Sequence, residues 1–114
     1  MVQNEIDMTT FEELKEMSGA DFIDELIVTY LDDAPHLIDQ MQKALKTQDA
    51  EVFRRAAHSL KSNSATFGAN HLSLLAKELE VLGRENKLNE VGNRLDVLKS
   101  VYDLVADELK VLHQ

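Results

Sequence analysis

From residue 22 almost to the end of the chain, apolar positions recur every three or four residues, the spacing of one face of an α-helix. Thr10 followed by Glu13 reads as a capping box and predicts a short helix over about 11–17, stopped by Ser18 and Gly19. The stripe Phe22, Ile23, Leu26, Ile27, Tyr30, Leu31, Ala34, Leu37, Ile38, Met41, Leu45 then predicts a long helix over about 20–47. Pro35 falls inside it and could end one helix and open another. The stripe keeps its phase across Pro35, so one helix kinked there is the preferred reading and two helices the alternative. Asp49 suits the N-cap of a third helix, about 50–67, with Gly68 as its stop. Asn70 suits the cap of a fourth, about 71–84, whose core positions are Leu72, Leu75, Leu79 and Leu82, with Gly83 near its end. The stripe Leu88, Val91, Leu95, Leu98, Tyr102, Val105, Leu109, Leu112 predicts a last helix over about 88–112. Short connections force sequential helices to run antiparallel. The expected architecture is all-α: an antiparallel up-down four-helix bundle with a short extra N-terminal helix as a lid, in a single domain over 1–114.

Composition narrows the class. One core is what 114 residues with 44% hydrophobic content support, and one proline and four glycines leave little loop. With no cysteine, disulfides and thiolate metal sites are excluded and a reducing compartment is expected. The first ten residues lack a basic start followed by an apolar run, and no apolar stretch approaches the ~20 residues that span a bilayer. A cytoplasmic location is the expectation. The Met1 start and full set of helices lean towards a free-standing protein. The stripes can all be satisfied within one bundle, so the expected state is a monomer.

A net charge of −9 argues against nucleic acid and membrane as partners. The charge is also uneven. Residues 1–49 hold 12 acids and 3 bases, and residues 50–114 hold 9 of each, so the whole imbalance of 3 − 12 = −9 sits in the first part. Residues 52–77 contain no Asp or Glu, yet carry Arg54, Arg55, Lys61 and Lys77. That window surrounds His58, and carboxylates are expected to be absent from its neighbourhood. Such a face suits an anionic visitor.

With Leu60 at the centre of the buried face and about 100° per residue, Phe53, Ala56, Ala57, Ser64 and Phe67 fall within roughly 60° of it. His58 lies about 200° away and points out of the bundle. Its neighbours at helical spacing are Arg54, Arg55, Lys61, Ser62 and Ala65. Ser62 and Ala65 are small and leave the ring open, and Lys61 is long enough to bring its ammonium beside a group attached to the imidazole. Arg54 and Arg55 either help hold such a group or pair with acids on the second helix. An exposed, largely neutral histidine can act as a nucleophile, and a phosphoryl group is a fitting electrophile because Lys61 offsets its charge. The spacing of the other histidines, His36, His71 and His113, does not favour a metal site.

The segment "AHSLKSNSATFGA" resembles the signature of histidine-containing phosphotransfer (HPt) domains of multistep phosphorelays. That pattern runs His, any residue, Leu, Lys, Gly, small residues, and a Gly ten positions after the His. His58, Leu60, Lys61 and Gly68 match it, and Ala57, Ser64 and Ala65 look typical. Ser62 stands where the family often has Gly. The flanking "YLDDAPHLIDQMQKAL" and "LSLLAKELEVLGREN" look like the family's neighbouring helices, so the likeness covers roughly residues 8–112. The resemblance implies that His58 takes a phosphoryl group from an aspartyl phosphate and passes it to another aspartate, with Lys61 stabilising the group. It implies response-regulator receiver domains and a hybrid sensor histidine kinase as partners, and Mg²⁺ on the receiver rather than here. No nucleotide-binding motif is present, so a phosphoryl carrier without its own ATP site or cofactor is expected. The alternative is a helical protein-interaction module without phosphotransfer chemistry.

Overall fold

The computed structural model describes residues 4–113, and all regular structure among them is helical. The order is α1 (Met8–Ser18), α2 (Ala20–Thr47), α3 (Ala50–Thr66), α4 (Asn70–Arg84), a 3₁₀ turn at Leu88–Glu90 and α5 (Arg94–Leu112). Around Pro35 the structure has one continuous helix, not two.

Three helix starts differ from the sequence reading. α1 begins at Met8 because Asp7, not Thr10, is the cap: the Asp7 carboxylate accepts from the Thr9 amide at 3.0 Å, and the Thr10 hydroxyl turns back to it. α4 begins at Asn70 itself, with Ala69 in the cap position. The chain leaves α3 through Gly68 at φ +80°, and the Gly68 and Ala69 amides donate to the Ala65 and Ser64 carbonyls, the two bonds of a Schellman stop. α4 follows so closely that no residue is left over for a side-chain cap. The last helix starts at Arg94 rather than Leu88, because Gly92 adopts φ +57° and breaks the regular helix. Asp49 caps α3 as expected, accepting from the Val52 amide.

α3 packs most extensively on α4 and α2, and α5 packs on α4 and α2. Contacts between α3 and α4 pair Arg54 with Gly83, His58 with Glu80 and Lys61 with Ser73. Numbers rise on one helix as they fall on the other, so the two are antiparallel. The core residues expected on α3, Phe53, Ala56, Ala57, Leu60, Ser64 and Phe67, are all buried. Ser64 is tolerated there because its hydroxyl bonds the Tyr30 hydroxyl at 2.8 Å. Burial of that phenol pushes its ionisation well above the ordinary tyrosine range, an effect the Ser64 bond partly offsets. Phe22 departs from its stripe: it is 50% exposed, whereas Ile23 and Ile27 are buried.

The N-terminal segment is tied at both sides. Glu108 on α5 accepts from the Glu5 and Ile6 amides at 2.6 and 2.9 Å, and the Asp7 amide donates to the Gly68 carbonyl. A Cβ on Gly68 would lie 2.9 Å from the Asp7 carbonyl oxygen, so this approach requires glycine on steric grounds as well as by its φ.

Candidate functional site

Gly83 sets the spacing of the site. A Cβ on it would lie 3.1 Å from the backbone nitrogen and Cα of Arg54, so its missing side chain lets α4 lie directly against α3. One turn back along α4 is Glu80, and one turn forward along α3 is His58. The Ser73 hydroxyl donates to the Lys61 carbonyl at 3.0 Å and clamps the same pair of helices one turn on along α3 and two turns back along α4.

His58 keeps 54% of its side chain exposed, as its angle on α3 requires, but its ring is not free. Nδ1 lies 2.6 Å from Oε2 of Glu80. Lys61 reaches the same carboxylate, with Nζ 2.7 Å from Oε1. Arg84, one turn on from Glu80, brings Nη2 to 3.5 Å of Oε2. Glu80 is only 3% exposed. The expectation that no carboxylate stands near His58 is therefore wrong. The acid-free window describes α3 and its flanks, whereas Glu80 comes from the facing helix.

Burial is the largest single influence on Glu80 and opposes its ionisation. The bonds and charges of Lys61 and His58 together outweigh it and hold the carboxyl below its ordinary range. An ionised carboxylate only accepts, so Nδ1 of His58 donates to it, and in the neutral ring the lone pair is then on Nε2. The carboxylate thus favours one tautomer and leaves Nε2 on the side of the ring away from Glu80.

The remaining expected residues divide. Ser62 and Ala65 are exposed on the outer side of α3 and leave the ring approachable. Arg54 and Arg55 do not pair with acids on α2. Arg54 donates through Nε and Nη2 to Glu51, and Arg55 lies 3.8 Å from the same residue. An i,i+3 or i,i+4 partner on their own helix is nearer than anything on α2. Glu80 and Arg84 were not among the residues singled out from the sequence. The available signal was a carboxylate adjoining the Leu72, Ala76, Leu79, Gly83 face, where burial demands a cationic partner from the opposing helix.

Residues 25–110 match the family model of the Hpt domain. Over 75 residues the chain is 33% identical to the sensor protein TorS of Escherichia coli, covering 66% of this chain and 8% of that protein. Over 111 residues it is 26% identical to multistep phosphorelay regulator 1 of Schizosaccharomyces pombe, covering 95% of this chain and 37% of that one. The chain spans well under half the length of either relative. Histidine-containing phosphotransfer protein B from Pseudomonas aeruginosa PAO1 has the same fold at TM-score 0.92 and 26% identity, covering 99% of this chain and 97% of that one.

Proposed function

Because this chain belongs to the Hpt domain family and is a histidine phosphotransfer domain of a phosphorelay, we propose that Nε2 of His58 is the atom that carries the phosphoryl group. The observation that carries this reading is the bond from Nδ1 to a buried, ionised Glu80, which leaves Nε2 available on a half-exposed ring. The lone pair of Nε2 attacks phosphorus of an aspartyl phosphate. The bond between phosphorus and the acyl oxygen breaks, and its electrons leave with the donor carboxylate. The ring keeps its Nδ1 proton and becomes cationic, and Glu80 opposes that charge at hydrogen-bond distance. Return transfer reverses each change, with the acceptor carboxylate attacking phosphorus and the electrons of the N–P bond going back to Nε2. Lys61, three residues on from His58, supplies positive charge to the phosphoryl oxygens.

The donors and acceptors in this reading are receiver domains, one of them part of a hybrid sensor kinase. Mg²⁺ sits on the receiver. The chain itself is a carrier without an ATP site, working as a cytoplasmic monomer. Its helices form an antiparallel up-down bundle of four, α2 to α5, with α1 added. The pairings of α2 with α3, α3 with α4, α4 with α5 and α5 with α2 support that arrangement.

The test is incubation with a phosphorylated receiver domain and Mg²⁺. Wild type is expected to gain acid-labile, base-stable phosphate, and His58→Gln to gain none while remaining helical. The absence of label from several different receivers, with the fold intact, would turn the reading to an interaction module.

A further inference from the structure

Glu80 holds three partners with one charge. His58 takes Oε2, Lys61 lies beside Oε1, and Arg84 stands at Oε2 from the next turn of its own helix. The Lys61 that should meet a phosphoryl group is thus already engaged in the free domain. Other cations nearby are less available: Arg54 gives its Nε and Nη2 to Glu51, and Arg55 faces the same carboxylate. We propose that phosphorylation proceeds with an exchange of counter-ions, in which Lys61 moves from Glu80 to the phosphoryl group and Arg84 stays behind as the positioning residue that keeps Glu80 on Nδ1 of His58.

This proposal rests on His58 being the phosphorylated residue. Three observations support it beyond that reading. The Lys61 contact is a single ion pair whose cation keeps about a quarter of its side chain in solvent, so the ammonium can swing outward from Glu80. A phosphoryl group brings about two negative charges against the one of Glu80, so the attraction on Lys61 shifts outward once phosphorus is attached. Departure of Lys61 takes one positive charge from a carboxylate that is 3% exposed, and a buried anion needs compensating charge. Arg84 can supply it, because it already stands at 3.5 Å and keeps most of its side chain in solvent. As the ring turns cationic, Glu80 then keeps two positive partners throughout the transfer.

Phosphoramidate tests this without any receiver. Attack by Nε2 on its phosphorus breaks the P–N bond and releases ammonia, so the exchange is observed on the domain alone. Five proteins are compared: wild type, Arg84→Ala, Lys61→Ala, the double variant and, as the conservative rescue, Arg84→Lys. The side-chain resonances of Lys61 are followed by NMR before and after phosphorylation. In wild type they are expected to move on phosphorylation, and in Arg84→Ala to move much less. Phosphorylation of Arg84→Ala is expected to slow roughly two- to fivefold, the range a solvent-screened ion pair supports. Arg84→Lys should restore the rate. In the Lys61→Ala background Arg84 is the only arginine or lysine left at Glu80, so removing it should slow phosphorylation more than it does in the presence of Lys61. A merely structural Arg84 would slow both backgrounds equally, and that result overturns the proposal. Phosphorylation of His58 with Lys61 resonances unmoved overturns it too, while leaving the phosphorylation site intact. Failure of wild-type His58 to take any label would instead remove the site on which both stand.

Discussion

At the scale of single residues, the proposed chemistry draws on a carboxylate that α3 does not contain. Lys61 is three-quarters covered and its Nζ lies 2.7 Å from Oε1 of Glu80, so it belongs to the fold as well as to the site. Removing a cation from a buried carboxylate costs stability. Lys61→Ala is expected to lower the unfolding free energy by about 1–3 kcal/mol, read from urea denaturation, with Lys61→Arg recovering most of it. The titration of Glu80 gives an independent check. Its folded-state value lies below the unfolded one, so its stabilisation is fully present above the unfolded value of roughly 4.3 and disappears as pH falls through the folded one. Wild type should therefore exceed Glu80→Gln in stability at pH 7, and the gap should close in acid. A gap that stays constant from pH 7 to below pH 3 would show that the charge of Glu80 contributes nothing. The sequence revealed the exposed histidine, its lysine and the open outer side, because all three follow from angles on one helix. Glu80 was hidden since its partners are 22 and 19 positions away, and periodicity within a segment says nothing about which residues face each other across two.

At the scale of elements, repeat spacing and capping signals located the five α-helices, missed the 3₁₀ turn and misplaced several ends. The interval 88–93 shows why. In a 3₁₀ turn, residues three apart lie on one side, so Leu88 and Val91 both point inward and continue the stripe of α5 without belonging to it. Likewise, Asp7 and Thr10 are both good caps by composition, and the choice fell to Asp7 because the chain there is also pinned by its bond to Gly68. The α3–α4 pair carries the most exacting demand on an element. At Gly83 an alanine would gain about 1 kcal/mol of helix propensity. Its Cβ would also press at 3.1 Å on the Arg54 backbone, which cannot rotate away as a side-chain end could. Overpacking of this kind costs about 1–3 kcal/mol, so the net effect of Gly83→Ala is expected to be destabilising. It should also slow phosphorylation of His58, because parting the helices there draws Glu80 away from Nδ1. A variant more stable than wild type with unchanged kinetics would show that α4 can shift without disturbing the site.

At the scale of the whole molecule, the two ends of the chain meet away from the chemistry. Glu108 receives two backbone amides from positions more than 100 residues earlier, both charge-assisted bonds. They hold buried Ile6 in place and present Asp7 to cap α1 and to bond the turn at Gly68. Gly68 lies ten residues past His58, about 15 Å along α3 at 1.5 Å per residue. The strap therefore closes the fold at the far end of the helix that carries the histidine, and its loss should be felt as stability and local opening rather than as chemistry. Glu108→Ala is expected to raise amide exchange at Glu5 and Ile6 at least tenfold and to lower global stability by about 1–2 kcal/mol, the worth of hydrogen bonds to a charged group less what water restores. Its rate of phosphorylation by phosphoramidate should match wild type. Slowed phosphorylation in this variant would mean that the α3–α4 turn, held by Asp7, transmits its position along α3 to His58. The two ends of the helix would then form one mechanical unit in place of the two independent regions their contacts describe.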